Sequence, residues 1–194
     1  MRFEKFRLEK VTSTNDAAID LIKKKNKSSG LVYADLQTHG RGTHGRKWVS
    51  DKGNLFTSLF FPLKKEFPSF AEFSVINPVI ITDAIISFCE TANISLKFPN
   101  DIFLNRKKIC GILQETINFN NINYLIVGIG MNVISNPQIK SNYDITNIFK
   151  ETKKKIIIKN LIEKIISLYE TFFMNLESYN FISFKKKADI MAFN

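Results

Sequence analysis

The chain has 194 residues, 44% of them hydrophobic, and a formal net charge of +10. That length suits one compact domain with at most a small appendage, and two cysteines, Cys89 and Cys110, are too few for a disulfide framework or a cysteine metal cage. No apolar run is long and clean enough for a membrane span, and no N-terminal stretch has a secretory signal's three-part pattern, so a reducing, cytoplasmic setting is expected. The positive charge is dominated by lysine, with short runs at Lys23–Lys25, Lys153–Lys155 and Lys185–Lys187. Scattered lysines at element ends fit a compositional bias better than a nucleic-acid-binding stripe.

In chain order, residues 2–11 alternate as an opening strand. The segment Thr12-Ser13-Thr14-Asn15-Asp16 is rich in helix caps and precedes Ala17, Ala18, Leu21 and Ile22, spaced for one helix face. Residues 31–36 read as a buried strand, and 54–61 as a strand of aromatic and β-branched residues. A long helix is expected over 70–91, with Pro78 marking a kink or a second start. A short strand over 95–98 stops at Pro99. Strands over 101–104 and 109–117 form a hairpin around Asn105-Arg106-Lys107, and an Asn-rich turn over 118–123 leads to a buried strand over 124–134. A loop follows to residue 144, then an amphipathic helix over 156–176 with Ile157, Leu161, Ile165, Leu168 and Phe172 on its apolar face. Hairpins with helices set between them predict an α+β domain, a mixed and largely antiparallel sheet with flanking helices, rather than a doubly wound sheet.

The richest segment is Gln37 to Trp48, QTHGRGTHGRKW. Glycines let backbone amides approach a ligand closely, and arginines supply fixed cationic forks for carboxylate or phosphate. Gly40, Gly42 and Gly45 have the GxGxxG spacing, but a strand rather than a helix is expected to follow and the Walker lysine is missing, so the loop is an anion cradle of another kind than a dinucleotide or Walker loop. Three further segments accompany it: Ser13-Thr14-Asn15, KFPND (Lys97 to Asp101) with KKICGILQE (Lys107 to Glu115), and VGIGMNV (Val127 to Val133). Each has a plain structural alternative: helix capping, a surface hairpin, a Pro-Asn-Asp turn, a buried strand end.

Taken together and in order, from about residue 8 to about residue 150, these segments resemble the biotin protein ligases. The resemblance implies the catalytic fold that those enzymes share with class II aminoacyl-tRNA synthetases. It implies activation of biotin by ATP to biotinyl-5′-AMP, then transfer to a lysine of a biotin carboxyl carrier protein, expected to be that of acetyl-CoA carboxylase. Biotin and ATP are the substrates, and Mg²⁺ is implied by the ATP chemistry, although no carboxylate cluster marks a metal site. Lys108 matches the family's catalytic lysine, with Arg41 and Arg46 as further cations to neutralise a carboxylate brought against a triphosphate. Asp101 is expected to orient or deprotonate the incoming amine. Ser13, Thr14, Asn15, Gln37, Gly40, Arg41, Gly42, Thr43, Lys108, Gly111 and Leu113 are the implied biotin-binding positions. Arg41, Arg46, Trp48, Asn100, Lys108 and Asn132 are those for ATP or the adenylate. Ile129 is a candidate wall contact, and Trp48 is either a core anchor or part of a ligand-ordered loop. A loop over 135–147 lies where the family covers the adenine.

The chain departs from the family at Thr43, where a second loop arginine is usual, and at Phe98, where tryptophan is usual. Arg46 or a protonated His44 would then substitute for the missing cation. A catalytic domain is expected over 1–185 and a tail over 186–194. The family's small C-terminal barrel is not evident, through loss or truncation, and no N-terminal helix-turn-helix is evident, so specific DNA binding is not expected. A homodimer is compatible with the resemblance. A lipoate ligase, of related fold, is the nearest alternative.

Overall fold

A computed structural model gives the fold and describes residues 1–89, 93–138 and 143–193. The strands are β1 (Glu4–Val11), β2 (Gly30–Gln37), β3 (Leu55–Pro62), β4 (Ile94–Lys97), β5 (Asp101–Leu104), β6 (Lys107–Phe119) and β7 (Ile122–Met131). The helices are α1 (Thr14–Lys25), α2 (Phe70–Ile86), α3 (Ile148–Thr152), α4 (Ile158–Met174) and α5 (Phe181–Ile190). The described residues build a seven-stranded sheet in the order β1-β2-β3-β7-β6-β5-β4. β1 and β2 run parallel around α1, and every other neighbouring pair is antiparallel. This is the α+β arrangement expected from the hairpin pattern.

The two faces of the sheet differ. On one, Leu59, Phe61, Ile112, Leu125, Val127 and Ile129 join Phe73, Ile81, Leu161, Ile165 and Tyr169 from α2 and α4 in one apolar core. On the other, Val32, Phe60 and Ile126 meet Ala18 and Ile22 of α1 in a smaller cluster. Alternation along β3 and β7 divides the side chains between the two faces, as a two-residue period requires. Asn77 is a fully buried amide within the larger core. Its Nδ2 donates to Gln114 Oε1 and its Oδ1 accepts from Tyr169 at 2.8 Å, tying α2 to β6 and α4.

Several expectations about element ends are corrected. α2 passes through Pro78 without a break, because packing on both flanks holds it helical despite the lost amide donor. It ends at Ile86; residues 90 and 91 of the expected helix lie outside the described residues. Both hairpins are tighter than predicted. Asn105-Arg106 and Asn120-Asn121 all take positive φ, the two-residue turn that asparagine tolerates and that matches strand twist. α4 starts after Ile157, which is 65% exposed and not on the buried face. The tail boundary expected at residue 185 falls inside α5. Ala188 is buried, and Met191 O and Phe193 N–H bond Leu96 on the edge of β4. Residues 186–193 therefore continue the fold.

α3 is held to the β5–β6 hairpin by Glu151. This carboxylate accepts from Asn105 Nδ2 at 2.9 Å, Thr146 Oγ1 at 2.7 Å and Lys107 Nζ at 3.2 Å. The Asn105 bond first, then those from Thr146 and Lys107, hold the carboxyl below its usual range against the opposing effect of burial. A depressed folded-state value stabilises the fold above the unfolded carboxylate range, and that contribution fades as pH falls through the folded value. The stability gap between the parent protein and Glu151→Gln, read from urea midpoints, should therefore narrow from about pH 6 to about pH 3. Tyr169→Phe should cost about 1–3 kcal/mol in the same assay, because it leaves Asn77 Oδ1 buried with one partner fewer.

Candidate active site

The site lies on the sheet face that α1 only half covers. There Gly111 of β6 stands opposite Gly130 of β7, and Leu113 opposite Gly128. The missing side chains make room for the indole of Trp48. A Cβ at Gly111 would sit 2.8 Å from Trp48 Cζ3, and one at Gly130 only 2.6 Å from Nε1. That Nε1–H is buried and has no hydrogen-bond partner among the described residues. Trp48 is thus part of a cavity floor rather than a core anchor.

A cavity of about 400 Å³ opens over this floor. Its wall includes Ser13, Thr14, Asn15, Gln37, Arg41, Gly42, Thr43, Arg46, Trp48, Asn100, Asp101, Lys108, Gly111, Leu113 and Asn132, drawn from all four motif segments. Of the positions singled out from sequence, Gly40 is not on the wall. It has no room for a side chain, since a Cβ would meet Gln37 Nε2 at 2.9 Å and Ser50 Oγ at 3.0 Å. Ile129 borders the cavity, but alternation with Gly128 and Gly130 gives it to the helix-covered core.

Lys108 reaches the cavity through an irregularity. Asp101 pairs with Gly111 and Ile102 with Cys110, but Phe103 pairs with Lys108, leaving Ile109 as an extra residue in β6. Strict alternation from Gly111 would point Ile109 at the cavity and Lys108 at the core. The bulge reverses this: Ile109 is fully buried in the helix-covered core and Lys108 lines the cavity. The Lys108 backbone is anchored on its far side by Asp144 O and the Thr146 amide. Its ammonium lies 2.7 Å from Asp101 Oδ1 and 5.8 Å from the centre of a Trp48 ring, with both charged side chains largely shielded. Asn100 Nδ2 donates to the same Asp101 oxygen at 3.1 Å, at the turn that follows a cis Phe98–Pro99 bond. Next along the strand, burial pushes the Cys110 thiol far up, so it stays protonated and takes no part in ion pairing.

At the other end, the N-terminus of α1 is held by hydrogen bonds within the protein. Ser13 caps the helix by accepting from the Asn15 amide. Gln37 Oε1 accepts from the Thr14 amide at 2.8 Å and the Thr14 hydroxyl at 3.2 Å, while its Nε2 donates to Ser50. Asn15 is buried over Gly128. Its Oδ1 accepts from Ser58, and its Nδ2 donates to Glu115 Oε2 at 2.6 Å. Arg46 donates to the carbonyl and hydroxyl oxygens of Thr43, at 3.2 and 2.8 Å, so the residue at the departure from the family pattern directs the nearest arginine. Asn132 donates to Thr146 O, and its Oδ1 is buried beside the cavity with no partner among the described residues.

Sequence reading gave no role to Ser58, Gly128, Gly130 or Glu115. The period-two alternation from Gly111 and Leu113 to Glu115 was the available signal for the last. Among the described residues no group of three or more His, Cys, Asp or Glu side chains could hold a metal ion, and no helix is long and apolar enough to cross a membrane.

Residues 7–132 match the biotin/lipoate A/B protein ligase family, and the chain belongs to that family. It is 33% identical to a biotin–[acetyl-CoA-carboxylase] ligase of Paracoccus denitrificans, over 67% of this chain and 55% of that protein. It is 31% identical to the bifunctional ligase/repressor BirA of Bacillus subtilis, over 90% of this chain and 55% of that protein. The chain thus spans about half the length of these curated relatives. Among solved structures, the biotin protein ligase of Leishmania major in complex with biotinyl-5-AMP superposes with a TM-score of 0.84 at 28% identity, covering 98% of this chain and 81% of that one. The Aquifex aeolicus biotin protein ligase in complex with biotin and ATP gives 0.79 at 29% identity, covering 97% and 78%.

Gly130→Ala should push the indole off the floor. Trp48 is the chain's one tryptophan, so its emission should shift to the red and become more accessible to acrylamide, while far-ultraviolet circular dichroism stays unchanged.

Proposed function

We propose that this chain is the catalytic domain of an ATP-dependent biotin protein ligase. It would join the carboxylate of biotin to the α-phosphate of ATP with release of pyrophosphate. It would then pass biotin to a lysine of a biotin carboxyl carrier protein, that of acetyl-CoA carboxylase by analogy with the Paracoccus relative. The observation that carries this reading is the Lys108–Asp101 pair, set against an indole and glycine floor in a cavity that draws on all four motif segments.

The chemistry follows from these groups. Biotin's carboxylate and ATP repel each other, and the Lys108 ammonium stands where it can neutralise both. Its charge is balanced by Asp101, and an incoming carboxylate or phosphate would share it. A carboxylate oxygen attacks the α-phosphorus and the bond to pyrophosphate breaks. Arg46, held by neutral oxygens of Thr43, is the second cation offered to the phosphates. In the transfer step, a lysine amine attacks the acyl carbon and AMP leaves. That amine, with a pKa of about 10.4 in water, must shed a proton, and Asp101 is the carboxylate at the reacting centre. Ser13, Thr14, Gln37 and the loop backbone at Arg41 and Gly42 form the polar end for the ureido ring, with Leu113 and Trp48 against the apolar body.

Mg²⁺ delivered with the triphosphate fits the donors present. On the protein side it would be held by Asn132 Oδ1, which has no hydrogen-bond partner among the described residues. When bound, it would offset charge on the phosphates.

The test is biotin- and ATP-dependent pyrophosphate release. Lys108→Ala should lower the rate by at least about 100-fold with folding intact. Asp101→Asn should slow transfer to the carrier domain more than it slows adenylate formation. Equal turnover with lipoate in place of biotin would move the assignment to the other branch of the family, and release unaffected by Lys108→Ala would remove the reading.

A further inference from the structure

Arg41 looks like the loop's main anion receptor, yet its guanidinium is already engaged. Nη1 donates to Glu115 Oε1 at 2.7 Å, and Nη2 donates to Glu115 Oε2 and to Asp16 Oδ1, both at 2.8 Å. This is a two-pronged pairing, the strongest geometry available to an arginine. The same Glu115 also accepts from the buried Asn15. These bonds join three segments far apart in sequence: the glycine loop, β6 and the first turn of α1. Two carboxylates face one guanidinium, so the cluster offers no spare positive charge to an incoming anion. Lys108, by contrast, has one carboxylate partner, and Arg46 is bonded to uncharged oxygens.

We propose that Glu115 is a positioning residue for the ligase reaction, and that Arg41 serves as its clamp rather than as a cation for the reacting charges. Through this clamp the backbone of residues 40–42 is fixed relative to Ser13 and Thr14, the other side of the polar end of the cavity. The proposal rests on the ligase reading for its kinetic consequences, but the clamp is also a physical statement about the loop. The two roles for Arg41 predict opposite signs. If the guanidinium neutralised phosphate, releasing it from Glu115 would favour ATP. If it is a clamp, releasing it loosens the biotin end and leaves ATP unaffected.

The experiment measures biotin- and ATP-dependent pyrophosphate exchange for the parent protein, Glu115→Gln, Arg41→Gln and the double variant that carries both. Thermal melts check folding, and amide hydrogen exchange follows residues 39–48. Glu115→Gln should raise the KM for biotin roughly tenfold, the size of one charge-assisted hydrogen bond, with the KM for ATP within about twofold. Exchange in the loop should quicken, and the double variant should lose about as much as the worse single variant rather than the sum, because both changes break one clamp. A lower KM for ATP in Glu115→Gln, an unchanged KM for biotin, or a double variant whose losses are the full sum of the two single ones would overturn the proposal. If the parent protein neither catalyses exchange nor binds biotin by calorimetry, the ligase reading fails separately. Loop exchange then decides the clamp, and unaltered protection in Glu115→Gln overturns it.

Discussion

One surplus residue in β6 makes the cavity chemically useful. A strand of strict alternation would drive the Lys108 amine into an aliphatic core, where an unpaired ammonium costs several kcal/mol or gives up its proton. Ile109 takes that place instead, and the bulge turns Lys108 to the glycine-floored face beside Asp101. The surrounding arrangement supports this turn. The backbone on one side of Lys108 is bound by the segment at Asp144–Thr146, and on the other β5 resumes regular pairing at Ile102. Charge chemistry and core packing are thus served by neighbouring residues of a single strand.

The same economy governs the floor. From Val127 onward the large side chains of β7, Val127, Ile129 and Met131, all lie on the face packed with α2 and α4. Opposite them, Gly128 and Gly130 leave space that Asn15 and Trp48 fill from above. A rigid sheet with one bare patch holds the polar groups around that patch in fixed places, which suits a reaction that depends on positioning and preset charge.

Much of the fold was legible in the sequence because its signals are local. The cap at Ser13, the asparagine turns and the aliphatic strands each follow from a few adjacent residues. The parts that were not legible depend on distant partners. Pro78 suggested a break, but burial on both flanks keeps α2 whole. The last residues read as a tail because short lysine-rich segments carry little periodicity; their docking relies on Ala188 and on hydrogen bonds to Leu96. The positions taken from motif resemblance, Gly40 apart, line one cavity, whereas alternation alone would have misplaced Lys108. The partners of Arg41 were invisible for a similar reason, since Glu115 lies 74 residues further along the chain.

An open sheet leaves two rows of backbone groups with no neighbouring strand. Here the row on β4 is bonded by the chain itself, through Met191 and Phe193 on Leu96, with the Phe193 ring 4.6 Å from that of Phe103. The row on β1 is guarded differently: Glu4, Lys5, Arg7, Glu9 and Lys10 are all exposed along it. A stray strand approaching that margin would have to strip water from several charges before it formed a single bond. One margin is sealed and the other is electrostatically unwelcoming, so this sheet resists growing sideways into aggregates.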